Sequence, residues 1–304
     1  MTPNKTVFYI LLTIAMLGWG ASWVNVKVLS QYVNEYEMIF LRFGLASLSF
    51  VPILIYLKKS FIIDKKTALL VVLASIANVA YMKYFFLGAK FGTAGLGGAF
   101  VTTLIPIITF ILMAIFFGRK VGNKEILALM LGAFGVMMIL GVWTLHTSEV
   151  LTKYNLYFVL ASFLWPILTI ISSRATSVSP IVFIFYMYSV TTILVATFFV
   201  DFSFIETLNY EPKFIFNLLC IAFAGTTFAT SVYFVGIEKL GTNEVSSFIF
   251  LVPFFAIGLS SIFLGESIGL HVIIGTVLTI VAVSMLNNVK FDIITFIKNR
   301  TKRR

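Results

Sequence analysis

The residues of this sequence most able to carry chemistry are two cations inside long apolar runs. Arg42 lies about six residues into one run, and Lys83 lies about five residues before the end of the next. A cation surrounded by hydrocarbon is costly, so it is expected either to bind an anionic group in a cavity or to reach the membrane surface along its own side chain. The sequence leaves both interpretations open. It also allows Arg42 to pair with Glu35 or Glu37.

Aromatic and hydrogen-bonding side chains at mid-depth in the apolar runs form a second group of candidates. Buried hydroxyls and amides need partners, and these are often other helices. Trp19 and Trp165 rank first, because the internal repeat described below places them at equivalent depth, facing each other, and because Trp19 lies too deep for an interfacial belt. Together with the two cations, we expect these residues to line a substrate-binding cavity: Trp19, Trp165, Asn78, Tyr84, Thr102, Ser231 and Ser247.

Proline and glycine residues mark candidate hinges. Pro106 and Pro253 lie near the centre of the fourth and ninth apolar runs, where a proline removes a helix hydrogen bond. In a transporter, prolines at corresponding positions of two halves indicate a binding site or a gate, although a static kink would have the same pattern. We expect gating roles for Pro106 and Pro253, and for Gly92 and Gly241 in the turns that precede these runs.

These residues are positioned by a membrane, because the chain is too apolar for water. Of its 304 residues, 60% are apolar and only 11% are charged, whereas a soluble domain has about 25% charged residues. A helix needs about 20 apolar residues to cross the hydrocarbon core. The sequence predicts an all-α integral membrane protein with ten such helices, at about 7–29, 36–57, 67–88, 93–117, 124–143, 154–173, 180–200, 213–236, 243–264 and 269–288.

The basic residues between the runs predict the orientation. With ten spans, 16 of the 22 Lys and Arg residues fall on the side of the N-terminus and only four on the opposite side. Cytoplasmic loops are the ones enriched in Lys and Arg. We therefore expect a multi-pass protein of the cell inner membrane with both termini in the cytoplasm. These residues form no continuous basic face, which argues against a nucleic-acid partner despite the net charge of +10.

An internal repeat relates the two halves of the chain. Residues 85–93 and 233–242 are similar, and each stretch precedes an apolar run with a central proline. Because a unit of five spans is odd in number, the second copy enters the membrane from the opposite side, as in inverted-repeat transporters with a central cavity. The expected domains are a first five-helix repeat (1–146), a second inverted repeat (147–290) and a basic cytoplasmic tail (291–304).

The order and spacing of these features resemble the EamA-type branch of the drug/metabolite transporter superfamily over nearly the whole chain. The matching stretches are 17–20 in the first span, 41–43 in the second, Gly-Thr before the fourth and ninth, and 263–266 after the ninth. The first half departs from the pattern, because Phe-Gly-Arg at 117–119 stands where Gly-Glu is usual. The resemblance implies alternating access in a bacterial inner membrane and export of amino acids or related metabolites.

Other functions have less support in the sequence. The chain has two histidines and no cluster of residues typical of a metal site, a nucleophilic enzyme or a phosphate-binding loop, so we expect no enzyme activity, cofactor or metal. No clear acid lies in the central part of any span. The sequence is therefore as compatible with a facilitative exchanger or uniporter of organic anions as with a proton-coupled carrier. The expected partners are a small-molecule substrate and membrane lipid, with the protein a monomer or weak homodimer.

Overall fold

A computed structural model describes residues 5–118, 121–140, 153–208, 210–240, 245 and 247–286 of the chain. All the secondary structure in these ranges is helical. The first seven main helices are α1 (Lys5–Leu29), α2 (Glu35–Tyr56), α3 (Lys65–Phe91), α4 (Ala94–Phe117), α5 (Asn123–Leu140), α6 (Lys153–Ser173) and α7 (Pro180–Phe198).

The last three main helices are less regular. Helix α8 has three consecutive segments: an α-helix (Pro212–Leu219), a π-helix (Cys220–Phe228) and a second α-helix (Ala229–Leu240). Helix α9 starts as a 3₁₀ turn (Ser247–Leu251) and continues as an α-helix (Val252–Leu264), and α10 is Leu270–Leu286.

Length and composition agree with a multi-span membrane fold. Helices α1 to α4 and α6 to α8 each contain a stretch long and apolar enough to cross a membrane, while α9 and α10 are shorter apolar helices. Helix α5 adds a further 18 residues. The predicted all-α membrane architecture is therefore confirmed.

The helices pack in a pattern that is preserved when the two halves are exchanged. Three pairs of equivalent helices pack against each other: α2 with α7, α4 with α9, and α5 with α10. Each of these pairs is unchanged by the exchange. Three further sets of contacts occur in matched pairs: α1 on α8 with α6 on α3, α1 on α9 with α6 on α4, and α2 on α8 with α7 on α3. Helix α4 also packs on α5 and α10, and among the described residues α9 has no contacts of that extent with these two helices. The paired contacts are the pattern expected of two five-helix units related by a twofold axis.

Contacts between connections show that successive helices alternate in direction. One end of the bundle, here called the first face, brings together the end of α1, the α3–α4 turn and the α9–α10 turn, where Lys27 reaches the carbonyl of Gly92 and lies near Glu266. The opposite end, the second face, joins the α2–α3 connection to the α6–α7 connection through Asp64 and Ser177.

Asp64, the residue before α3, forms a hydrogen-bonded link on the second face. Its Oδ1 accepts hydrogen bonds from Ser177 Oγ at 2.6 Å and from Thr67 Oγ1 at 2.5 Å. These two donors stabilise the carboxylate and lower the pKa of Asp64 to about 2. The link therefore ties the start of α3 to the turn before α7.

An equivalent link exists on the first face. Glu211, the residue before α8, lies 147 residues after Asp64 and accepts a hydrogen bond from the Tyr32 hydroxyl at 2.8 Å. That hydrogen bond raises the pKa of the Tyr32 phenol, because it stabilises the protonated form. The two links are equivalent. In each half, an acid at the start of the third helix bonds to the connection that follows the first helix of the other half.

Glycines allow α4 and α9 to approach closely. A Cβ added at Gly98 would overlap the Cβ of Ala256, whereas a Cβ at Gly258, also helical, would meet nothing within 4 Å. Gly98→Ala is expected to lower stability by about 1–3 kcal/mol, as overpacking usually does. The matched variant Gly258→Ala should be neutral or slightly stabilising, because alanine favours helix over glycine. Unfolding temperatures of the two variants in detergent test this, and equal values would contradict the packing.

The Asp64 link predicts a pH-dependent contribution to stability. Because the pKa of Asp64 is depressed in the folded protein, its contribution is present above the ordinary carboxyl value near 4 and is lost as the pH falls toward about 2. Ser177→Ala should therefore be less stable than the native protein at pH 6, and the difference should shrink toward pH 2. Ser173→Ala is the control, because the Ser173 hydroxyl bonds only within its own helix. Unfolding temperature against pH measures the effect, and a pH-independent difference would contradict it.

Candidate functional site

Arg42 lies in the interior of the bundle. Among the side chains that the structure describes it is the one buried cation, with an exposed fraction of 8%. Its Nε donates a hydrogen bond to Thr226 Oγ1 on α8 at 2.9 Å, and Nη1 contacts Met82 Sδ on α3 at 3.6 Å. The guanidinium carbon is 5.3 Å from the centre of the Phe43 ring. Three helices therefore converge on this one charge.

Within the described part of the chain, no carboxylate pairs with Arg42. Its electrostatic neighbours are the buried phenols of Tyr81 and Tyr188, and Tyr188 bonds in turn to the hydroxyl of Thr230. The sequence allowed a pair with Glu35 or Glu37, and the structure shows neither. A guanidinium held by neutral groups in an apolar interior is an incomplete ion site, and it is suited to accept an anion from outside the protein.

Glu35 and Glu37 are engaged elsewhere, at the start of α2. Glu37 forms a capping box with Asn34, accepting from its backbone N–H at 2.8 Å and from its side-chain amide at 2.7 Å. Glu35 lies near the ammonium group of Lys83. The two acids therefore hold the first turn of α2 and do not neutralise Arg42.

The π-helix in α8 carries two threonines whose hydroxyls contact side chains of α2. Thr226 Oγ1 donates to the carbonyl of Ile221 at 2.7 Å while it accepts from Arg42. Thr227 Oγ1 lies 2.6 Å from Ser49 Oγ, which makes a second polar rung between α8 and α2. A π-helical turn holds more residues than an α-helical one and is often found at functional sites. Sequence analysis missed Thr226, and a Thr-Thr pair in an apolar run was the one signal for it.

Asn78 lies beside this site but is committed to helix packing. Its exposed fraction is 1%, and its Nδ2 donates to Thr191 Oγ1 on α7 at 3.3 Å. One turn earlier, Ser75 Oγ donates to the carbonyl of Met187 at 2.9 Å. These bonds fix α3 against α7 and thereby fix the position of Tyr81 and Met82 next to Arg42.

The two tryptophans occupy equivalent positions, and each packs on a tyrosine. Trp19 on α1 is 5.2 Å from the ring of Tyr233 on α8, and Trp165 on α6 is 4.8 Å from the ring of Tyr81 on α3. The helix pairs are counterparts under exchange of the halves, but the two tyrosines are not, because the repeat aligns Tyr233 with Phe85. Trp165 therefore reaches the Arg42 site through Tyr81, whereas Trp19 belongs to a separate cluster of α1, α8 and α9. Trp23, which is 3% exposed, lies between these sites against Phe85.

Lys83 and Tyr84 lie toward the first face, away from Arg42. The Lys83 ammonium is 5.4 Å from the centre of the Tyr36 ring at the start of α2. Tyr84 stacks on Tyr157 of α6 at 6.0 Å. The structure thus separates the two predicted cations, placing Arg42 in the interior and Lys83 at the rim.

The remaining predicted residues are dispersed. Thr102 donates to the carbonyl of Gly98 within its own helix. Pro106 lies inside α4, but Pro253 is the second residue of the α-helical part of α9, a position where proline breaks no helix hydrogen bond. Gly92 ends α3 in an extended conformation. Gly241 and the side chain of Ser247 lie outside the described residues.

A groove of about 470 Å³ opens in the half of the bundle nearest the second face. It lies between α1 and α2, with α8 behind them and the start of α7 at its edge. Ser231 lines it, and the Ser231 hydroxyl, although buried, has no hydrogen-bond partner among the described residues. The lining residues are Phe8, Leu11, Pro52, Ile53, Tyr56, Leu57, Ile181, Ser231, Val232 and Val235.

The first face is closed by a polar network, here called the Lys27–Glu266 clamp. The Lys27 ammonium donates to the carbonyls of Lys90 at 2.8 Å and Gly92 at 2.6 Å. The Glu266 carboxylate accepts from the first two N–H groups of α4, those of Ala94 at 2.8 Å and Gly95 at 2.9 Å. A carboxylate at a helix N-terminus satisfies free donors and complements the helix dipole.

Close packing lies beneath the clamp. A Cβ at Gly97 would come within 2.7 Å of Trp23 and 2.6 Å of Phe158, and Gly98 is in contact with Ala256. Phe158 and Ala256 are fully buried. The space beneath the clamp is therefore filled by side chains, whereas the groove lies near the second face.

Comparisons with known proteins place the chain in a family. Residues 6–141 and residues 152–288 each match the EamA-like transporter family. An uncharacterized transporter of Archaeoglobus fulgidus is 22% identical, over 90% of this chain and 95% of that protein. The uncharacterized transporter YyaM of Bacillus subtilis is 26% identical, over 90% of this chain and 92% of its own length.

A solved structure supports the same fold. One crystal structure of a protein with 13% identity aligns at a TM-score of 0.62, covering 92% of this chain and 96% of that one. The two sequence matches cover nearly the whole chain, and the described helices pack in the paired arrangement that two such units would produce. The chain therefore belongs to the EamA-like transporter family.

Proposed function

We propose that the protein is a secondary carrier that moves a small carboxylate-bearing metabolite, of the amino-acid class, by alternating access. The observation that carries this proposal is Arg42, a buried guanidinium held only by neutral groups of the described residues. A carboxylate of the substrate would complete the ion pair. The bare charge raises the energy of the empty site, so it favours binding of an anion over a neutral analogue.

The geometry of the guanidinium supports a carboxylate. The protein engages Nε and Nη1, and within the described residues Nη2 makes no hydrogen bond to the protein. Guanidinium groups bind carboxylates through parallel, charge-assisted hydrogen bonds. The nearby phenols of Tyr81 and Tyr188 and the Trp165 ring offer an aromatic wall for the rest of a metabolite.

The difference between the two faces supports alternating access. The first face carries the Lys27–Glu266 clamp, and the groove opens toward the second. Two exchangeable halves can occupy a second arrangement in which the open and closed faces are reversed. The excess of Lys and Arg on the side of the N-terminus supports an inner-membrane orientation with the second face in the cytoplasm. Export, and a monomer or weak homodimer, remain part of this proposal.

One observation favours a facilitative exchanger or uniporter as the alternative mechanism. Every acidic side chain that the structure describes lies in a connection or in the first turn of a helix, as Asp64, Glu125 and Glu266 do. A proton relay through the middle of the bundle would need an acid there. Substrate exchange at the Arg42 site needs none.

Arg42→Gln is expected to remove the preference for acids. Purified protein should bind a carboxylate such as phenylalanine more tightly than its amide, and the variant should lose roughly ten- to hundredfold in affinity for the acid, the value of charge-assisted hydrogen bonds. Isothermal titration with a panel of amino acids and their amides measures this, and counterflow in proteoliposomes gives the transport rate. Lys83→Gln, at the rim, should have a smaller effect, and the exposed residue Lys213→Gln none. Equal acid preference in Arg42→Gln would contradict the proposal.

Glu266→Ala is expected to loosen the first face. The reporter is Ser260→Cys in a Cys220→Ser background, since Ser260 is fully buried and lies against Gly95 beneath the clamp. Without the carboxylate, the first turn of α4 loses two hydrogen bonds, so labelling by a membrane-impermeant maleimide should become several-fold faster. Glu206→Ala, in an exposed turn, is the matched control. An unchanged labelling rate in Glu266→Ala would show that the clamp does not close this face.

A further inference from the structure

The groove near the second face has the chemistry of a subsite for an apolar ligand group. Its lining is made of aliphatic and aromatic side chains, and Ser231 is the one hydroxyl of a serine or threonine among them. We propose that it binds the apolar body of an amphipathic monocarboxylate whose carboxylate binds Arg42. This inference rests on the proposed function and names the substrate class that the site would take.

The groove and Arg42 lie along one seam between α2 and α8. On α8, Thr227, Ser231 and Val235 recur every four residues and therefore share a face. On α2, Ser49 and Ile53 are spaced in the same way. The Ser49–Thr227 hydroxyl contact at 2.6 Å joins α2 to α8 between the groove and the charged end of the seam, so a ligand that reaches both would replace this hydrogen bond. The seam thus passes from a cation, through a polar rung, to an apolar groove.

The spacing along this seam sets the length of the ligand. Thr226 marks the level of the guanidinium, because its hydroxyl is 2.9 Å from Arg42 Nε. Ser231 and Val235 follow five and nine residues later, which corresponds to roughly 7–13 Å along a helix. A single carboxylate attached to an aromatic or aliphatic body of that length spans the distance. A dicarboxylate or a sugar would place polar groups against the apolar lining.

The size and polarity of the groove agree with the apolar body of a monocarboxylate. A volume of about 470 Å³ is within the range of small-molecule sites. The unpartnered Ser231 hydroxyl is a buried donor that a polar substituent on the body of the ligand would satisfy. An acyl chain of a bilayer lipid is the competing occupant, and it would need no carboxylate and no Arg42.

A chain-length series tests the proposal. Binding of hexanoate, octanoate and decanoate, with 1-octanol as the uncharged match, would be measured calorimetrically on the protein in nanodiscs, with empty nanodiscs subtracted. Affinity should rise about fourfold per methylene in the native protein, and octanoate should bind more tightly than 1-octanol. Val232→Trp and Ile53→Trp fill the groove from opposite walls, and each should flatten the chain-length dependence. Ile193→Trp, on a side chain 63% exposed, should leave it unchanged.

The outcomes separate the groove from the Arg42 site. Arg42→Gln should weaken all three acids by one common factor and leave the chain-length dependence intact. A dependence that persists in both groove-filled variants overturns the subsite. Equal binding of octanoate and 1-octanol, with the dependence still abolished in the filled variants, overturns the carboxylate site and shows a groove for lipid chains. A strong preference for acids with no chain-length dependence supports the proposed function and overturns the groove.

Discussion

One charge in an apolar interior determines the arrangement at the centre of this protein. Taking a guanidinium out of water is costly unless its donors are satisfied. Arg42 is held by a hydroxyl on α8, a sulfur on α3 and the ring of its neighbour Phe43, so two other helices must each bring a partner to it. The π-helix in α8 and the α3–α7 hydrogen bonds of Asn78 and Ser75 both serve that placement. The same lack of a carboxylate that makes the empty site costly is the basis of the anion site proposed above.

The two halves pack as equivalents, but their ends are chemically different. Helix α4 is α-helical from Ala94, and its first turn is capped by the Glu266 carboxylate. In the first half, Arg119 is the residue that corresponds to Glu266, and a basic side chain cannot complement a helix N-terminus as a carboxylate does. The sequence therefore provides this clamp for one face, and the structure is closed on that face.

Much of the architecture could be predicted from the sequence, because membrane helices have a strong compositional signal. Ten apolar runs and the similarity of the two halves follow from residue type and spacing. The burial of Arg42 does not, because the sequence is equally compatible with a cavity and with a side chain that reaches the membrane surface. The partners of Arg42 could not be predicted in this way. Thr226 is 184 residues from Arg42 in the chain. The direction of its side chain depends on a π-helix, and no pattern of residue types predicts a π-helix from sequence. Lys83 and Arg42 are both cations a few residues inside an apolar run, so the sequence does not distinguish them. In the structure, the first turn of α2 brings Tyr36 next to the Lys83 ammonium, which places Lys83 at the rim.

The links formed by Asp64 and Glu211 restrict which helices can move. Gates of an alternating-access carrier are closed in turn, yet both links are formed in the same structure, one on each face. They tie the starts of α3 and α8 to the connections before α7 and α2 at the same time, so neither link distinguishes an open face from a closed one. These four helices include every residue that contacts the Arg42 guanidinium. The Lys27–Glu266 clamp joins α1 to the end of α3 and the α9–α10 turn to the start of α4. Under the alternating access proposed above, the accessible face would change when α1, α4 and α9 move against the helices that hold the charge.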